Sequence, residues 1–491
     1  MKISVAGIIL FLLFGGCEIP TRPSASNDAF SLSYSLTTTT IKRQIPITIT
    51  WSEITISRFK QFEIERAKIV GDTYQWMIRG IVTDSLATTF IDTIDDDVTF
   101  QYRVRIVDQN NQYKVSLAEP FTIPTVRSVT IPIDYSSIQE AFETNFIDEG
   151  DSIRVLQGSY PCSLNIVDKP ISLYAPDGPD RTFLFGIAQA MKPVVTINCG
   201  DINAFTITGG KAFYGGGVLA EGNAVVRNCV ISNNEAREDP NQNLPTFPIG
   251  WGGGVHARGE ALIIDCEISN NLAMRGGGGI VLEENAQFIR GLVKSNRSRI
   301  LGGGIYFHLN YTGDLTLCRI INNKTMYNIT GLGGGIYSSR GDLTISNTVL
   351  AKNSAGVYGG GIYSDEANSI RFINCVFFRN SALNREKRSG AIGGSNPYQI
   401  MNSIVYKNSG PIENRLFGNV LSWSLTDQMS FAIGEGNLIG DPGFINTRAN
   451  NYGLITTSPC IDAGNPDSQY NDPDGTRNDM GIFGGPGAVN P

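Results

Sequence analysis

The residues best suited to chemistry recur at one place in a repeated pattern. Each follows a Gly-Gly-Gly-Ile or Gly-Gly-Gly-Val motif, which occurs six times between residues 215 and 362. The residues directly after the Ile or Val are Leu219, His256, Val281, Tyr306, Tyr337 and Tyr363. Two positions further on are Glu221, Arg258, Glu283, His308, Ser339 and Asp365. Side chains two positions apart share one face of a strand, so we expect both rows to point outward.

Aromatic rings flanked by charged groups are suited to binding carbohydrate. Tyrosine and histidine rings offer faces to sugar rings, while carboxylates and arginine bond the hydroxyl groups. The predicted carbohydrate-binding residues are therefore Tyr306, Tyr337, Tyr363, His256 and His308. The alternative is a structural role, in which the tyrosines stack on one another and Arg258 neutralises the acids beside it.

The same rows contain the candidates for catalysis, which are Glu221, Arg258, Glu283 and Asp365. A glycoside hydrolase needs two carboxyl groups roughly 5–10 Å apart. Glu221 and Glu283 could meet that distance only with Arg258 between them, because Arg258 belongs to the repeat between theirs. The rows contain no pair of aspartates on adjacent repeats. Catalysis therefore remains an alternative to binding.

Composition excludes several other kinds of chemistry. The 491 residues include only two histidines, His256 and His308, so a multi-histidine metal site is impossible and any Ser-His-Asp triad must use one of them. The net charge of −7 argues against nucleic-acid binding, which favours a basic surface. The glycine triplets precede predicted strands rather than a helix, so they do not predict a phosphate loop. We expect neither nucleic acid nor nucleotide as a partner.

A second repeated pattern identifies the elements that carry these rows. Seven windows of seven residues share a small residue at the second position, an apolar residue at the fourth and asparagine at the last. They begin at residues 228, 265, 290, 317, 347, 374 and 402 and read NCVISNN, DCEISNN, RGLVKSN, LCRIINN, NTVLAKN, NCVFFRN and NSIVYKN. The two patterns recur together, which indicates that each repeat is one coil of a β-solenoid.

Each repeated residue type has a structural role in such a coil. Coils stack about 4.8 Å apart, so some ten coils would extend on the order of 50 Å. The small second-position residues, four of them cysteines, fit an interior stack, and their parallel side chains give poor disulfide geometry. Their spacing matches no zinc site. The final asparagines predict a ladder of amides, and the glycines permit positive φ at the corners.

The start of the repeat region resembles a known superfamily. Residues 136–142 contain a serine N-cap and helix-forming residues, and the strand-like sequence GDSIRVLQGSY follows at 150–160. With the repeats, this order resembles the right-handed parallel β-helix of the pectin-lyase-like superfamily, over roughly residues 129–483. We expect the β-helix over residues 125–437, with a short N-terminal capping helix. The resemblance implies polysaccharide lyases, which generally use a lysine or arginine base with calcium-held acids, or hydrolases with clustered aspartates.

The C-terminal segment carries its own resemblance. The sequences DPGF (441–444), SPCIDAG (458–464), DPDGTR (472–477) and DMGIF (479–483) resemble the closing segment of secreted bacterial β-helix proteins. We therefore assign residues 438–491 to closing the β-helix. Asp472, Asp474 and Asp479 could hold Ca²⁺ through oxygen ligands, although they lack the spacing of an EF-hand. The alternative is a capping turn, and no other cofactor is expected.

Residues 29–124 predict a separate domain with little glycine. Ile45, Ile47, Ile49 and Trp51 alternate with polar residues, as strands of a β-sandwich do. Trp51 and the sequence FQYRV at 100–104 resemble strands of a fibronectin type III domain. The predicted fold class is therefore all-β, with a fibronectin type III-like β-sandwich followed by a right-handed parallel β-helix.

The N-terminus predicts export. Lys2 and an apolar run over residues 3–14 form a secretory signal that is too short to span a membrane. The Gly-Gly-Cys17 ending resembles the lipobox of bacterial lipoproteins, although Phe14 replaces the usual leucine. This resemblance implies cleavage of residues 1–16 and lipidation of Cys17, with residues 17–28 as a tether. The alternative is an ordinary cleaved signal peptide.

Together these patterns predict an exported, membrane-anchored surface lipoprotein. Its β-helix would bind or process polysaccharide along the outward aromatic row. The first alternative is a non-enzymatic adhesin or structural surface protein, and the second is a polysaccharide lyase or glycoside hydrolase.

Overall fold

The chain divides into two compact units in the computed structural model. One unit comprises residues 1–127 with 144–147, and the other comprises residues 128–143 with 148–491. The structure describes residues 32–36, 45–52, 58–70, 73–94, 99–117, 121–122, 128–143, 147, 149–187, 190–238, 250–309, 311–365, 369–383, 389–394, 398–409, 420–428 and 434–488. Within these ranges, no helix has the length and apolar character needed to cross a membrane.

The N-terminal unit consists of two antiparallel β-sheets. The first sheet contains, in spatial order, strands Leu32–Leu36, Ile45–Trp51 and Thr89–Ile94. The second contains Thr73–Val82, Phe59–Val70, Thr99–Asp108 and Tyr113–Leu117, with Phe121–Thr122 also paired to Thr99–Asp108.

Apolar side chains of the two sheets are in contact. The ring centroids of Trp51 and Phe62 are 5.0 Å apart, and both side chains are buried. Tyr102 and Val104 of the second sheet are fully buried. The Tyr102 hydroxyl donates a hydrogen bond to the buried Asp92 carboxylate at 2.8 Å, which satisfies both polar groups.

The second unit is a parallel β-helix whose repeated coils contribute strands to four sheets. Sheet 1, which includes the strands after the glycine triplets, contains Leu164–Ile166, Val195–Ile197, Val218–Ala220, Val255–Ala257, Ile280–Leu282, Ile305–Phe307, Ile336–Ser338, Ile362–Ser364 and Ile392–Gly394. Sheet 2 contains Ser128–Ile131, Ser152–Val155, Ser172–Tyr174, Asp201–Asn203, Val225–Arg227, Leu262–Ile264, Gln287–Ile289, Gly313–Thr316, Leu343–Ser346, Ile370–Ile373, Tyr398–Met401 and Val420–Ser422.

The other two sheets contain strands from the seven-residue windows and from the residues directly after them. Sheet 3 contains Gly158–Cys162, Thr182–Gly186, Thr206–Thr208, Val230–Ser232, Glu267–Ser269, Leu292–Lys294, Arg319–Ile321, Val349–Ala351, Val376–Phe378, Ile404–Tyr406, Leu425–Thr426 and Leu438–Ile439. Sheet 4 contains Lys211–Ala212, Glu235–Ala236, Leu272–Ala273, Arg297–Ser298, Lys324–Thr325, Ser354–Ala355 and Ser381–Ala382. Equivalent residues of successive coils pair in parallel, so the predicted correspondence of one repeat to one coil is confirmed.

The interior of the coils contains the small and apolar window positions, as predicted. The four second-position cysteines are free and at most 2% exposed, so the predicted interior position of these residues is confirmed. Burial raises the pKa of the Cys318 and Cys375 thiols to about 12, which keeps them protonated. In one window the second position is a glycine, Gly291, because an added Cβ there would lie 2.1 Å from the Phe288 ring.

The predicted amide ladder is confirmed. The Asn323 Oδ1 atom accepts hydrogen bonds from the backbone N–H of Asn296 at 2.9 Å and from its Nδ2 at 3.1 Å. The same Nδ2 donates to the Ile268 carbonyl of an adjoining coil at 2.8 Å. This arrangement repeats without interruption from Asn234 to Asn408, which satisfies a buried donor and acceptor at every coil.

The corners of the coils combine glycine with other residues at positive φ. The first glycine of each triplet has φ between 55° and 68°, as Gly302 and Gly252 illustrate, so the predicted role is confirmed. Two further corners lie at the first and sixth window positions and contain non-glycine residues. Asn228 and Asn233 have φ of 52° and 56°, respectively. Asparagine tolerates this conformation, which explains its frequency there.

The ends of the β-helix contain the few remaining elements. The helix Ile138–Glu143, close to the predicted capping helix, buries Ile138 and Ala141. After sheet 3, strands Phe444–Asn446 and Asn451–Leu454 form an antiparallel hairpin, and a 3₁₀ helix spans Ser468–Tyr470.

The C-terminal segment, residues 438–488, packs along the side of the coils. Its Tyr452 and Met480 side chains contact the outer face of sheet 3, where they are buried with Val376, Phe378 and Ile404. Three first-position asparagines also bond this segment, namely Asn347 to the Gly484 carbonyl (2.8 Å), Asn374 to the Asp479 carbonyl (2.9 Å) and Asn402 to the Asn465 N–H (2.7 Å). The segment therefore shields a lateral apolar face of several coils.

Candidate functional site

The row that contains the tyrosines lies on the outer face of sheet 1. The charged row lies at the C-terminal ends of the same strands, which we call the edge of sheet 1. Register pairs Leu219 with His256, and the row continues through Val281, Tyr306, Tyr337 and Tyr363. Each residue of the charged row comes directly after the last residue of one of these strands. The repeat thus positions both rows as the sequence spacing predicts.

Much of the aromatic row is covered, which corrects the expectation that it faces solvent. His256 and Tyr306 are each 4% exposed, and Tyr337 is 6% exposed, although Tyr363 remains partly exposed. The covering residues directly precede the glycine triplets and form a ladder of single β-bridges through Tyr214, Trp251, Gly276, Leu301, Leu332 and Tyr358. A bulky residue in five of these six positions was the sequence signal for this cover.

The covered part of the row is an aromatic cluster. The Trp251 and Tyr306 ring centroids are 4.9 Å apart, those of Tyr306 and Tyr337 are 5.3 Å apart, and Tyr337 stacks on Tyr363 at 5.9 Å. Gly276 makes room for the indole, since an added Cβ would lie 2.7 Å from the Trp251 ring. These contacts support the structural alternative for Tyr306 and Tyr337, in which the tyrosines stabilise stacked coils.

Both histidines of the protein meet on one carboxylate. The His256 Nε2 and His308 Nδ1 atoms lie 3.2 Å and 3.0 Å from the Glu283 Oε1 atom. His308 is also bordered by aromatic rings, with centroid distances of 5.3 Å to Tyr306 and 6.0 Å to Trp251. The three residues come from consecutive coils, so sheet register places them near one another, and their side-chain rotamers bring both imidazoles to the same oxygen.

The electrostatics of this cluster keep Glu283 ionised. Burial raises the pKa of Glu283, but the His256 hydrogen bond and the charges of His256, His308 and Arg258 outweigh it, and the pKa lies below its ordinary value. Burial, opposed in part by Glu283, lowers the pKa of His308. Burial raises the pKa of Tyr306 to about 12, so its hydroxyl is neutral.

The other charged residues of the row are also paired. Arg258 forms an ion pair with Glu221 on the preceding coil, and the Tyr337 hydroxyl donates to Asp365 at 3.3 Å. Each of the three carboxylates Glu221, Glu283 and Asp365 therefore has a side-chain partner within the protein. The arrangement offers charged hydrogen-bonding groups at an accessible edge, since the Arg258 side chain is 53% exposed.

Tyr214 lies beside this charged edge and was not singled out from the sequence. Its ring is 37% exposed and meets His256 edge-on at a centroid distance of 5.4 Å. Burial raises the pKa of Tyr214, with an added contribution from Glu283 and an opposing one from Arg258.

The three aspartates considered for Ca²⁺ bond to the backbone of their own segment. Asp472 accepts from the N–H groups of Asp479 and Gly485, Asp479 accepts from Asp462 N–H, and Asp474 accepts from Thr476 N–H. Across the described ranges, no group of three His, Cys, Asp or Glu side chains is arranged to hold a metal ion. These contacts favour the alternative of a capping turn. The lipidation candidate, Cys17, lies outside the described residues.

Comparison with known proteins agrees with the coil architecture. The family described as "Right handed beta helix region" matches residues 216–409. This range contains all six glycine triplets except the first glycine of the first triplet. No curated protein matches the chain. The structure is thus a right-handed parallel β-helix over the part that carries both rows.

Solved structures with some similarity include two classes of protein. A pectin methylesterase from Erwinia chrysanthemi is 14% identical, with a TM-score of 0.31 over 50% of this chain and 81% of its own. A pectate lyase from Erwinia chrysanthemi, in complex with tetragalacturonic acid, is 12% identical with a TM-score of 0.15 over 83% and 99%. A pectate lyase from Pectobacterium carotovorum is 11% identical with a TM-score of 0.16 over 84% and 100%.

Proposed function

We propose that the protein binds polysaccharide at the edge of sheet 1. The observation that carries this proposal is the exposed side chain of Tyr214, which meets His256 edge-on and belongs to the coil that carries Glu221, the ion-pair partner of Arg258. An exposed ring offers a face to a sugar, and charged groups bond hydroxyls more strongly than neutral ones do. The binding surface in this proposal is therefore Tyr214 and the charged row, while Tyr306 and Tyr337 support it from beneath.

Binding without catalysis is the form of the proposal that the geometry supports best. A glycoside hydrolase needs one carboxyl group that stays protonated until it acts. Glu283 has a lowered pKa and lies 3.2 Å and 3.0 Å from nitrogens of the two histidines, and Glu221 is paired with Arg258. Incubation with a polysaccharide panel, with and without Ca²⁺, should therefore release neither reducing ends nor unsaturated products. Turnover of any member of the panel would favour the lyase or hydrolase alternative.

A glycan array tests the binding proposal. The wild-type protein should bind a subset of glycans, and Tyr214→Ala should weaken that binding by about tenfold, because a stacked ring contributes on the order of 1 kcal/mol or more. Tyr113→Ala is the matched control, since Tyr113 is an exposed tyrosine of the N-terminal unit that the proposal does not use. An array without binding, or equal binding by wild type and Tyr214→Ala, would contradict the proposal.

The proposal extends to the rest of the chain. The fibronectin type III-like assignment is supported by two antiparallel sheets in contact at Trp51 and Phe62. The signal sequence and Cys17 support export to the bacterial envelope and anchoring in a membrane by lipid. Mass spectrometry of the protein purified from membranes should find a diacylglyceryl group on Cys17. An unmodified Cys17, or cleavage elsewhere, would favour the ordinary signal peptide.

A non-enzymatic structural role is the second candidate. The buried aromatic cluster of Trp251, Tyr306 and Tyr337 favours it, because these side chains already have partners within the protein. The two candidates differ at Tyr214. A purely structural protein would bind no glycan and would lose only stability on substitution of that residue.

A further inference from the structure

The two histidines of the cluster formed by Glu283, His256 and His308 differ in their surroundings. One nitrogen of each imidazole lies within 3.2 Å of the same oxygen, Oε1, and the Glu283 side chain is 22% exposed. Among the described residues, no hydrogen bond to its Oε2 atom is formed. Both histidine contacts are therefore made to one carboxylate oxygen, which leaves the other without a donor from the described residues.

His256 contacts the cluster through one nitrogen only. Its side chain is 5% exposed, its Nε2 atom lies 3.2 Å from Glu283 Oε1, and its Nδ1 atom is buried without a hydrogen-bond partner in the described structure. His256 therefore acts as a positioning residue, a fixed donor that holds the Glu283 carboxylate.

His308 differs because it can exchange protons with solvent. Its side chain is 30% exposed, and its Nδ1 atom lies 3.0 Å from Glu283 Oε1. The remaining charged and titratable groups that face the cluster are Arg258, Glu221, Tyr214 and Tyr306. Arg258 and Glu221 are paired, and both tyrosines are neutral at physiological pH. The local charge therefore follows Glu283 and His308.

We propose that His308 is a proton switch for the binding surface, with His256 fixing Glu283 and protonated His308 neutralising it. The proposal deepens the function proposed above and rests on it for the ligand, which donates a hydroxyl or amine to Glu283 Oε2. With His308 neutral, Glu283 accepts this donor as a full anion. Protonation of His308 weakens that acceptor, since hydrogen bonds to ionised groups are about twice as strong as neutral ones.

The first test observes the imidazoles without any ligand. The chain has only two histidines, so ¹⁵N-labelled imidazoles give two sets of NMR signals, assigned with His256→Asn and His308→Asn in a protein without a histidine tag. Burial lowers the pKa of His308, so its signal should titrate on the acidic side of the ordinary value near 6.5. Glu283→Gln should move the His308 midpoint to still lower pH, because it removes an adjacent negative charge.

Two results would overturn the switch. One is proton uptake by His256 instead of His308, and the other is a His308 midpoint that Glu283→Gln leaves unchanged. This titration needs no glycan, so it tests the switch even when the array shows no binding and the proposed function itself fails.

The second test connects the switch to binding. The array glycans should bind the wild-type protein on the order of fivefold more weakly at pH 5 than at pH 7.5. His308→Asn, whose side chain cannot take up the proton, should bind equally at both values. Binding by the wild-type protein that is equal at both pH values, or an unchanged pH dependence in His308→Asn, would refute the role of His308.

Discussion

At the scale of single residues, adjacent asparagines perform different tasks in the same window. Asn323 is fully buried and bonds the asparagines of two adjoining coils through its side chain. Asn322 is exposed and has a φ of 59°. The same residue type thus satisfies polar groups at one position and permits a corner at the next.

These roles predict opposite results for two neighbouring substitutions. Asn323→Ala removes the acceptor of Asn296 and leaves buried polar groups unpaired, so it should lower the free energy of unfolding by about 2–4 kcal/mol. Asn322→Gly should change it by less than about 0.5 kcal/mol, because glycine adopts the same φ. Denaturant unfolding of both variants measures the difference. Equal losses in the two would show that the ladder is not the stabilising feature.

Residue types in the sequence predicted the ladder, the cysteine stack and the register of the two rows. They did not predict that Tyr306 and Tyr337 are covered, since that depends on Trp251 reaching across Gly276 from a neighbouring coil. They also did not predict the convergence of both histidines on Glu283, because spacing fixes the coil of a residue but not the rotamer of its side chain.

At the scale of elements, half-buried carboxylates bond the backbone within the C-terminal segment, while apolar contacts hold that segment against the coils. Burial raises the pKa of Asp472 to about 6, and Asp472 accepts from the Asp479 and Gly485 N–H groups. A group whose pKa is higher in the folded state contributes stability at low pH, which is lost as the pH rises through that value. The segment should therefore be held more tightly at pH 5 than at pH 8.

Amide hydrogen exchange checks this dependence. After correction for the intrinsic pH dependence of exchange, the amides of Asp479 and Gly485 should be more protected at pH 5 than at pH 8. The amide of Asn323 is the internal control, because its partners in the ladder do not titrate. Equal corrected protection of the segment at both pH values would contradict the assigned role of Asp472.

The sequence motifs located this segment but not its placement. Patterns such as DPGF and DMGIF indicated a closing element after the last coil. The apolar outer positions of sheet 3, among them Val376, Phe378 and Ile404, could have indicated that a cover was needed. Which segment supplies that cover depends on long-range packing, which no local pattern encodes.

At the scale of the molecule, the β-helix explains how one site is assembled from distant residues. Each coil contacts mainly its neighbours, so a surface residue gains its partners from the equivalent positions of adjoining coils. Glu221, Arg258, Glu283 and His308 span 88 positions of sequence yet line one edge of sheet 1. Most of the fold was predictable because its period is written in the sequence, whereas the chemistry depends on side chains that differ from coil to coil.

The most direct test of binding at this edge compares two arginines by calorimetry with the best-bound array glycan. Arg258 and Arg290 are both exposed and each pairs with an acid of the preceding coil, Glu221 and Asp265, but only Arg258 lies in the charged row. Arg258→Ala should weaken binding about tenfold or more, since a hydrogen bond from a charged group contributes roughly 1.5–3 kcal/mol. Arg290→Ala should stay within about twofold of wild type, because surface ion pairs contribute little. Equal affinities for wild type and Arg258→Ala would contradict the proposed site.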